Sequence, residues 1–135
     1  MDHINSNFYP CDITVDGVDY PSTESAYQAA KTNDPTEKFA IANAATPGKA
    51  KRMGRKVHLR PDWESVKIQV MTVLVRQKFS QNRDLRQKLL ATCDEELIEG
   101  NNWGDRFWGV CGGIGQNWLG RILMQVRSEF RTPNL

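Results

Sequence analysis

Apolar residues in the first part of the chain occur in a short alternating pattern around one turn. Ile13, Val15 and Val18 surround the pair Asp16-Gly17. An Asp-Gly pair between apolar residues is typical of a tight hairpin, because the favoured two-residue turn needs positive φ at both positions. The segment therefore predicts two short antiparallel strands.

Capping residues mark the starts of the first three predicted helices. The first helix begins in Pro21-Ser22-Thr23 and continues through an alanine-rich stretch to Lys31. Asp34-Pro35 and Thr46-Pro47 each place a capping side chain before a proline at the first helical position. We therefore expect a second helix from Asp34 and a short third helix from Thr46 to Met53.

Apolar periodicity predicts the remaining elements. The longest periodic stretch runs from Asp62 to about Phe79, and its expected buried face consists of Trp63, Val66, Val70, Val73 and Leu74. Two further helices are indicated by Leu85, Leu89 and Leu90 after Asn82, and by Trp118, Ile122, Leu123, Val126 and Phe130. Residues 96–99 predict a short strand, and residues 101–116 a loop. The expected fold is α+β, mainly α-helical, with a small antiparallel sheet or hairpin in one compact domain (1–135).

Composition narrows the function classes only slightly. The 135 residues suffice for one domain with its own core, and 39% hydrophobic and 25% charged residues are ordinary values. A net charge of +2 is too small to indicate nucleic acid or membrane binding. The few cysteines and histidines (Cys11, Cys93, Cys111, His3, His58) form no zinc pattern and no disulfide framework. We expect no metal or cofactor, reduced thiols and, since no signal peptide or apolar span is visible, a cytoplasmic chain without membrane contact.

The first predicted helix carries an unusual polar face. Glu24, Tyr27, Gln28 and Lys31 fall at i, i+3, i+4 and i+7, so they share one side of the helix, opposite its alanines. An ordinary surface helix has an apolar stripe at this spacing. Two interpretations follow, a solvent-facing stripe on a helix packed through alanines, or a set of polar groups that meet a ligand.

A basic segment follows the third predicted helix start. It contains no acidic residue, and its cations are Lys49, Lys51, Arg52, Arg55, Lys56 and Arg60. A solvated basic face explains it simply. Phosphate recognition is the second interpretation, because arginine pairs bidentately with phosphate oxygens and Gly54 lets a backbone approach closely. A nucleic-acid-binding tract is a weaker third one.

The loop after the predicted short strand combines two carboxylates with three aromatic rings. Glu99 and Asp105 accompany Trp103, Phe107 and Trp108 among several glycines. Such a loop can simply close a core. Aromatic faces beside carboxylates also suit a flat heterocycle next to a sugar.

Several specific motifs occur together in the chain. They are Ser6-Asn7-Phe8-Tyr9-Pro10, the Glu24–Lys31 helix motif, Gly54-Arg55, Asp62-Trp63, Lys78-Phe79, Gly104-Asp105, Trp108-Gly109 and Asn117-x-Leu119-Gly120. With this set, the chain resembles the YbiA-like, or NADAR, family of N-glycosidases from about Ser6 to Phe130. The resemblance implies hydrolysis of a C–N bond between ribose and a base or amine.

The resemblance also implies substrates and site residues. Relatives act on phosphoribosylaminopyrimidine intermediates of riboflavin biosynthesis, and others remove ADP-ribose from guanine, so nucleic acid is expected only as a modified substrate. The implied catalytic residues are Glu24, Lys31 and Asp105. The implied substrate-binding residues are Asn7, Phe8, Tyr27, Gln28, Arg55, Glu99, Trp108, Gly109 and Asn117.

Two chemical routes fit these residues. Glu24 and Asp105 can stabilise an oxocarbenium-like state, protonate the leaving group or activate water. Alternatively, a neutral Lys31 can form an imine with C1 of an opened ribose. The competing functional hypotheses are a non-catalytic module that binds ADP-ribose or a nucleotide, and a nucleic-acid-binding protein that uses residues 49–60, whose affinity would fall steeply with salt.

Overall fold

A computed structural model describes residues 4–131 of the chain. In chain order, the elements of this part are β1 (Pro10–Val15), β2 (Val18–Ser22), α1 (Thr23–Ala30), α2 (Pro35–Ala42), α3 (Pro47–Gly54), α4 (Trp63–Gln81), α5 (Arg83–Ala91), β3 (Gly100–Asn101), β4 (Val110–Cys111) and α6 (Trp118–Arg131). The mainly helical α+β prediction is confirmed. Within the described residues, no helix is both long and apolar enough to span a bilayer.

The predicted hairpin is confirmed. Strands β1 and β2 pair antiparallel, with Val15 opposite Val18 at the closed end. Asp16 and Gly17 both have positive φ, at 50° and 79°, as this turn requires. The hairpin delivers the chain directly into α1, since Ser22 is both the last residue of β2 and the N-cap of the helix.

Helix α1 lies at the centre of the fold and not at its surface. Its residues from Thr23 to Ala29 are all buried, and α2, α3, α4 and both hairpin strands pack around it. Ser22 Oγ accepts a hydrogen bond from Ser25 N at 3.1 Å and satisfies the helix start. The interpretation of a solvent-facing polar stripe is therefore wrong, because both sides of the helix are covered.

The capping predictions for the next two helices are confirmed. The Asp34 carboxylate accepts from Thr36 N at 2.9 Å at the start of α2. Thr46 Oγ1 accepts from Lys49 N at 3.1 Å at the start of α3. In each helix, proline occupies the position where a backbone N–H would lack an intrahelical partner. Both helices then pack on α1.

The predicted buried face of α4 is only partly correct. Trp63 and Leu74 are buried, but Val73 is 40% exposed, and Val75 and Phe79 are buried in its place. The expectation assumed one apolar stripe against one neighbour. In the fold, α4 packs against α1, β1, α5 and α6, so burial extends around more than one side of the helix.

The predicted strand at residues 96–99 is wrong, since pairing begins only at Gly100. The side chain of Asn117 occupies the backbone groups that a strand partner would use. Its Oδ1 accepts from Glu99 N at 2.9 Å, and its Nδ2 donates to Leu97 O at 2.9 Å. The two-residue strands β3 and β4 then pair in parallel. The start of α6 is thereby fastened to the chain before the aromatic loop.

Candidate active site

The polar face of α1 points into the protein, where Glu24, Tyr27 and Gln28 are buried and Lys31 is half-buried. The Glu24 carboxylate accepts a short hydrogen bond from Gln28 Nε2. Glu24 N donates to Asn7 O at 2.9 Å, so the N-terminal segment joins the same helix turn. Four groups with different chemistry therefore line one short stretch of helix.

Burial raises the pKa of the Glu24 carboxyl group above its usual range. The hydrogen bond from Gln28 and the charges of Lys51 and Lys31 oppose this shift, and the nearby Asp105 charge reinforces it. A carboxyl group held in this balance can accept or release a proton closer to neutral pH than an exposed one. That property suits general acid–base work.

Burial also lowers the pKa of Lys31. The charge of Glu24 opposes the shift, while Arg55, Lys51 and Lys67 strengthen it by repulsion. No ion pair joins Glu24 to Lys31 within the part of the chain that the structure describes. The Lys31 amine lies 5.6 Å from the centroid of the Tyr27 ring. The lysine is thus desolvated and surrounded by like charge without being fixed by a close carboxylate.

Asp105 lies at the turn that brings the aromatic loop to α1. Its Oδ1 accepts from Phe107 N at 3.1 Å and from Trp108 N at 3.0 Å, while Asp105 N donates to Asn101 Oδ1 at 3.0 Å. Its charge raises the pKa of both Glu24 and Tyr27. Among the described residues, Oδ2 accepts no hydrogen bond. One carboxylate oxygen therefore shapes the turn and the other stays available.

Aromatic side chains form one wall of the site. The Tyr27 ring lies 5.2 Å from the Trp63 ring and 5.6 Å from the Trp108 ring, the second pair meeting edge to face. Phe107 continues this arrangement at 4.8 Å from Trp108. Burial raises the pKa of Tyr27, so its hydroxyl stays protonated. The wall packs the loop onto α1 and α4.

Two further rings stand at the rim, where they remain accessible. Phe8 is 38% and Trp103 64% exposed. The Lys51 amine lies 5.8 Å from the first ring centroid and 5.7 Å from the second. Arg55, at the C-terminal end of α3, is exposed and has no ion-pair partner in the described residues. The two exposed rings thus lie beside Lys51, whose charge acts on Glu24, and the Arg55 charge acts on Lys31.

Three residues of the predicted binding set have other contacts. Glu99 faces Lys78, and burial raises the pKa of its carboxyl against that charge. Asn117 uses its amide on backbone groups of the loop, with φ at 55°. Gly109 allows a close backbone approach, since a Cβ there would overlap Glu99 O and lie 2.8 Å from Asn101 Nδ2. The structure gives these three residues loop-positioning contacts, and their substrate contacts stay predictions.

Comparison with known proteins assigns the family. The model of the NADAR domain matches residues 2–131. The chain belongs to the NADAR domain family. The N-glycosidase YbiA of Escherichia coli is 42% identical over 127 residues, which cover 92% of this chain and 79% of that protein. An N-glycosidase of Nostoc punctiforme is 42% identical over 133 residues, covering 93% of this chain and 84% of its own.

A longer relative and a solved structure agree with this NADAR assignment. A riboflavin biosynthesis protein of Vibrio vulnificus is 45% identical over 129 residues, and the match covers 93% of this chain but only 35% of that protein. The NMR structure of E. coli YbiA superposes with a TM-score of 0.84 at 41% identity, covering 95% of this chain and 77% of that one. The predictions of the family and of a hydrolase acting on N-glycosyl bonds are confirmed at this level.

One polar residue of the NADAR domain escaped the site prediction. Lys78, 1% exposed, lies in α4 and donates from Nζ to Ile4 O and, at 3.1 Å, to Ser6 O. It thereby holds the segment that carries Asn7 and Phe8 against the core. The signal was present in the sequence, because Lys78 continues the buried line of Met71 and Leu74 at helical spacing.

Potential metal ligands meet at a single place among the described residues. Donor atoms of Asp34, Glu37 and His58 lie within 4.8 Å of one another near the surface. Glu37 already accepts hydrogen bonds from Thr32 Oγ1 and from His58 N, and Asp34 caps α2. These contacts account for the cluster as a link between α2 and the segment after α3.

Proposed function

We propose that the protein hydrolyses the ribose C–N bond of a phosphorylated ribosyl-base, either a pyrimidine intermediate of the riboflavin pathway or ADP-ribosylated guanine. The observation that carries the proposal is the pairing of two unlike groups on α1. Glu24 is a buried carboxylate with a raised pKa, and Lys31 is a desolvated amine with a lowered pKa. Each shift moves the pKa of its group toward neutral pH, where a general acid or base works best.

Lys31 acts as the nucleophile in the proposed route. The ribose ring opens when O4 of the sugar takes a proton, which leaves C1 doubly bonded to the base nitrogen. The neutral Lys31 amine adds to C1, and a proton moves from Lys31 to the base nitrogen. The C1–N bond to the base then breaks, which releases the base and leaves a C1 imine on Lys31. Water adds to C1 and expels the lysine, so the net change is hydrolysis.

The two carboxylates supply the proton transfers of this route. Glu24 lies on the same helix face as Lys31. The raised pKa of Glu24 suits proton exchange with the ring oxygen or the leaving nitrogen. Asp105 reaches the same region from the loop, with one oxygen unused by its turn. The alternative is direct attack by water on C1 with the same carboxylates, without a bond to Lys31.

The rim supports a phosphorylated substrate with a flat base. Arg55 and Lys51 are close enough to lower the pKa of Lys31, and neither has an ion-pair partner in the described residues. Arginine is well suited to phosphate because its donors match the oxygens bidentately. The exposed rings of Phe8 and Trp103 flank Lys51 and offer surfaces for stacking a heterocycle. The riboflavin-pathway name of the Vibrio relative supports the first substrate class.

A product screen with trapping tests the proposal. The protein is incubated with phosphoribosylaminopyrimidines, ADP-ribosylated guanine nucleotide and ADP-ribosylated DNA, and released base is measured by chromatography and mass spectrometry. Borohydride added during turnover reduces an imine and leaves a sugar adduct on the peptide that contains Lys31. Binding of all three without base release would indicate a non-catalytic module. Full turnover without an adduct would favour direct water attack.

A further inference from the structure

Gln28 occupies an unusual position between the buried carboxylate and helix α3. It is 3% exposed, and its Nε2 donates to Oε2 of Glu24 one turn earlier. Its Oε1 is also buried and has no hydrogen-bond partner within residues 4–131. Both ends of the amide are therefore removed from water, but only the donor end is satisfied. A buried acceptor without a partner is unfavourable, so the arrangement needs a specific cause.

Gly54 supplies the space in which the Oε1 end of the amide lies. A Cβ at position 54 would lie 2.7 Å from Cδ of Gln28 and closer still to its Oε1. Gly54 does not have positive φ, so the need for glycine here is one of space and not of backbone conformation. The last residue of α3 therefore forms the surface against which the Gln28 amide rests.

The orientation of the amide follows from the carboxylate. If the Gln28 amide were rotated by half a turn, its oxygen would face an oxygen of Glu24, and two acceptors would oppose each other. The observed orientation gives the carboxylate a donor and leaves Oε1 against Gly54. The unsatisfied acceptor is thus the consequence of directing the NH2 group at Glu24.

We infer that Gln28 is a positioning residue for Glu24, and that Gly54 of α3 fixes the Gln28 amide so that its NH2 group faces the carboxylate. This inference assigns Gln28 a role different from direct substrate binding and rests on the proposed function for its catalytic meaning. It links the basic helix α3 mechanically to the carboxyl group of α1. A change at Gly54 therefore reaches the site without touching a charged residue.

The charges around Glu24 set what the hydrogen bond can do. Burial raises the pKa of Glu24, and the Gln28 hydrogen bond is the first influence that lowers it. The charged and titratable groups that face it are Lys31 and Tyr27 of α1, Lys51 of α3 and Asp105 of the loop, while Lys67 of α4 acts on Lys31. Because a donor favours the ionised form, its loss should raise the pKa of Glu24 further.

The decisive experiment follows the Glu24 carboxyl carbon by NMR titration in the protein without substrate. In Gln28→Met, which keeps the length of the side chain without its amide, we expect the Glu24 pKa to be higher by about 1 than in the wild type. Glu24→Gln should remove one limb of the pH–activity profile, and in Gln28→Met this limb should move to higher pH. An unchanged titration in a folded Gln28→Met protein would overturn the inference.

Glycine substitutions within α3 give a matched pair. In Gly54→Ala, the new Cβ displaces the Gln28 amide, so we expect a raised Glu24 pKa and a loss of kcat/KM of at least about tenfold. Gly48→Ala is the control, because a Cβ there meets nothing closer than Arg52 Nη1 at 3.8 Å. It should leave both quantities unchanged. Equal effects of the two alanines would contradict the role of Gly54.

A double variant separates displacement of Gln28 from misfolding. In a Gln28→Ala background, the overlapping amide is gone, and the closest remaining contact of a Cβ at position 54 is with Cβ of residue 28 at 3.0 Å. Gly54→Ala should then change stability and the Glu24 titration far less than in the wild type. The same penalty in both backgrounds would sink the inference. The titration needs no turnover, so failure to find an N-glycosidase substrate would defeat the proposed function alone.

Discussion

Two lysines of this chain lose contact with water in different surroundings. Lys78 is almost fully buried in α4, and its amine donates to two backbone carbonyls, Ile4 O and Ser6 O. Lys31 is half-buried at the end of α1, and its amine has no hydrogen-bond acceptor among the described residues. Burial lowers the pKa of both, that of Lys78 to about 8. The first is a fastened structural group, and the second keeps its donors uncommitted.

The charges near the two amines also differ. Lys78 faces Glu99 and Cys11, whose ionised forms both favour the ammonium form. Around Lys31, Glu24 also favours that form, but Arg55, Lys51 and Lys67 act against it. A neutral amine is the reactive form. The comparison teaches that a lowered pKa alone does not identify a catalytic lysine, whereas an uncommitted amine beside a carboxylate and like charges does.

The strongest test of this contrast measures both turnover and the free energy of unfolding in an alanine variant of each lysine. We expect Lys31→Ala to lower turnover by at least about a thousandfold, as removal of a nucleophile does, with little change in the free energy of unfolding. Lys78→Ala should lower the free energy of unfolding by at least about 2 kcal/mol, because it removes a donor from Ile4 O and one of the two donors from Ser6 O, and it leaves a cavity. Turnover assays and urea denaturation measure the two effects.

Lys31→Arg is the matched control for charge. It keeps a cation at the end of α1, but a guanidinium stays protonated and cannot form the imine, so activity should remain lost. An active Lys31→Arg enzyme would remove Lys31 from the covalent role and leave direct water attack. An unchanged free energy of unfolding in Lys78→Ala would show that Lys78 does not have the structural role assigned to it.

The carboxylates should show the next largest effect. We expect Glu24→Gln and Asp105→Asn each to keep the fold and to lower kcat by at least about a hundredfold. Both amides retain an acceptor oxygen, for Gln28 in one case and for the Phe107 and Trp108 N–H groups in the other. Asp94→Asn, with a 94% exposed side chain, is the control. A kcat within a few-fold of the wild type would exclude an acid–base role for the residue concerned.

Local sequence patterns predicted most of the fold. The Asp16-Gly17 turn and the caps at Asp34 and Thr46 depend on neighbouring residues alone, and all three are confirmed. The i, i+3, i+4, i+7 spacing likewise placed Glu24 and Lys31 on one helix face. These features follow from backbone geometry within a few residues, so a sequence contains them directly.

Features that depend on distant contacts could not be predicted in the same way. The burial of α1 on all sides requires knowledge of which elements surround it. The failed strand at 96–99 depends on Asn117, about 20 residues away, and the fit of Gln28 against Gly54 joins two helices. The helical spacing of Lys78 with Met71 and Leu74 indicated its burial, but its acceptors lie more than 70 residues earlier, and spacing does not show them. Periodicity shows which residues share a face but not what covers it.

Arg55 extends the contrast to the rim. We expect Arg55→Ala to weaken binding of a phosphorylated substrate by about 1.5–3 kcal/mol, the usual value of a charge-assisted hydrogen bond. The binding of a dephosphorylated substrate should change little in the same variant. Arg52→Ala is the control, since Arg52 is exposed in the same helix but is not among the charges that lower the pKa of Lys31. Equal losses for both substrates would make Arg55 structural.

The smallest expected effect is a pH dependence of stability that belongs to Lys78. Its pKa is about 8 in the folded protein and 10.5 when the side chain is exposed, as it is in the unfolded chain. Between these two pH values the unfolded chain therefore binds more protons than the folded protein. The free energy of unfolding contributed by this group therefore rises with pH, by about 1 kcal/mol between pH 7 and pH 9. Denaturation of the wild type and of Lys78→Met at pH 7, 8 and 9 measures it.

The difference between the two proteins reports the titration of Lys78 together with its effect on Glu99 and Cys11, since the charge of the lysine lowers the pKa of both groups. The stability of the wild type should gain on that of Lys78→Met as the pH rises, since the desolvated ammonium loses its proton while the methionine has none to lose. Parallel curves would mean that Lys78 stays charged across this range, held by the carbonyls of Ile4 and Ser6. Burial without loss of the proton would then describe Lys78, and its contrast with Lys31, whose amine has no carbonyl acceptor among the described residues, would be sharper.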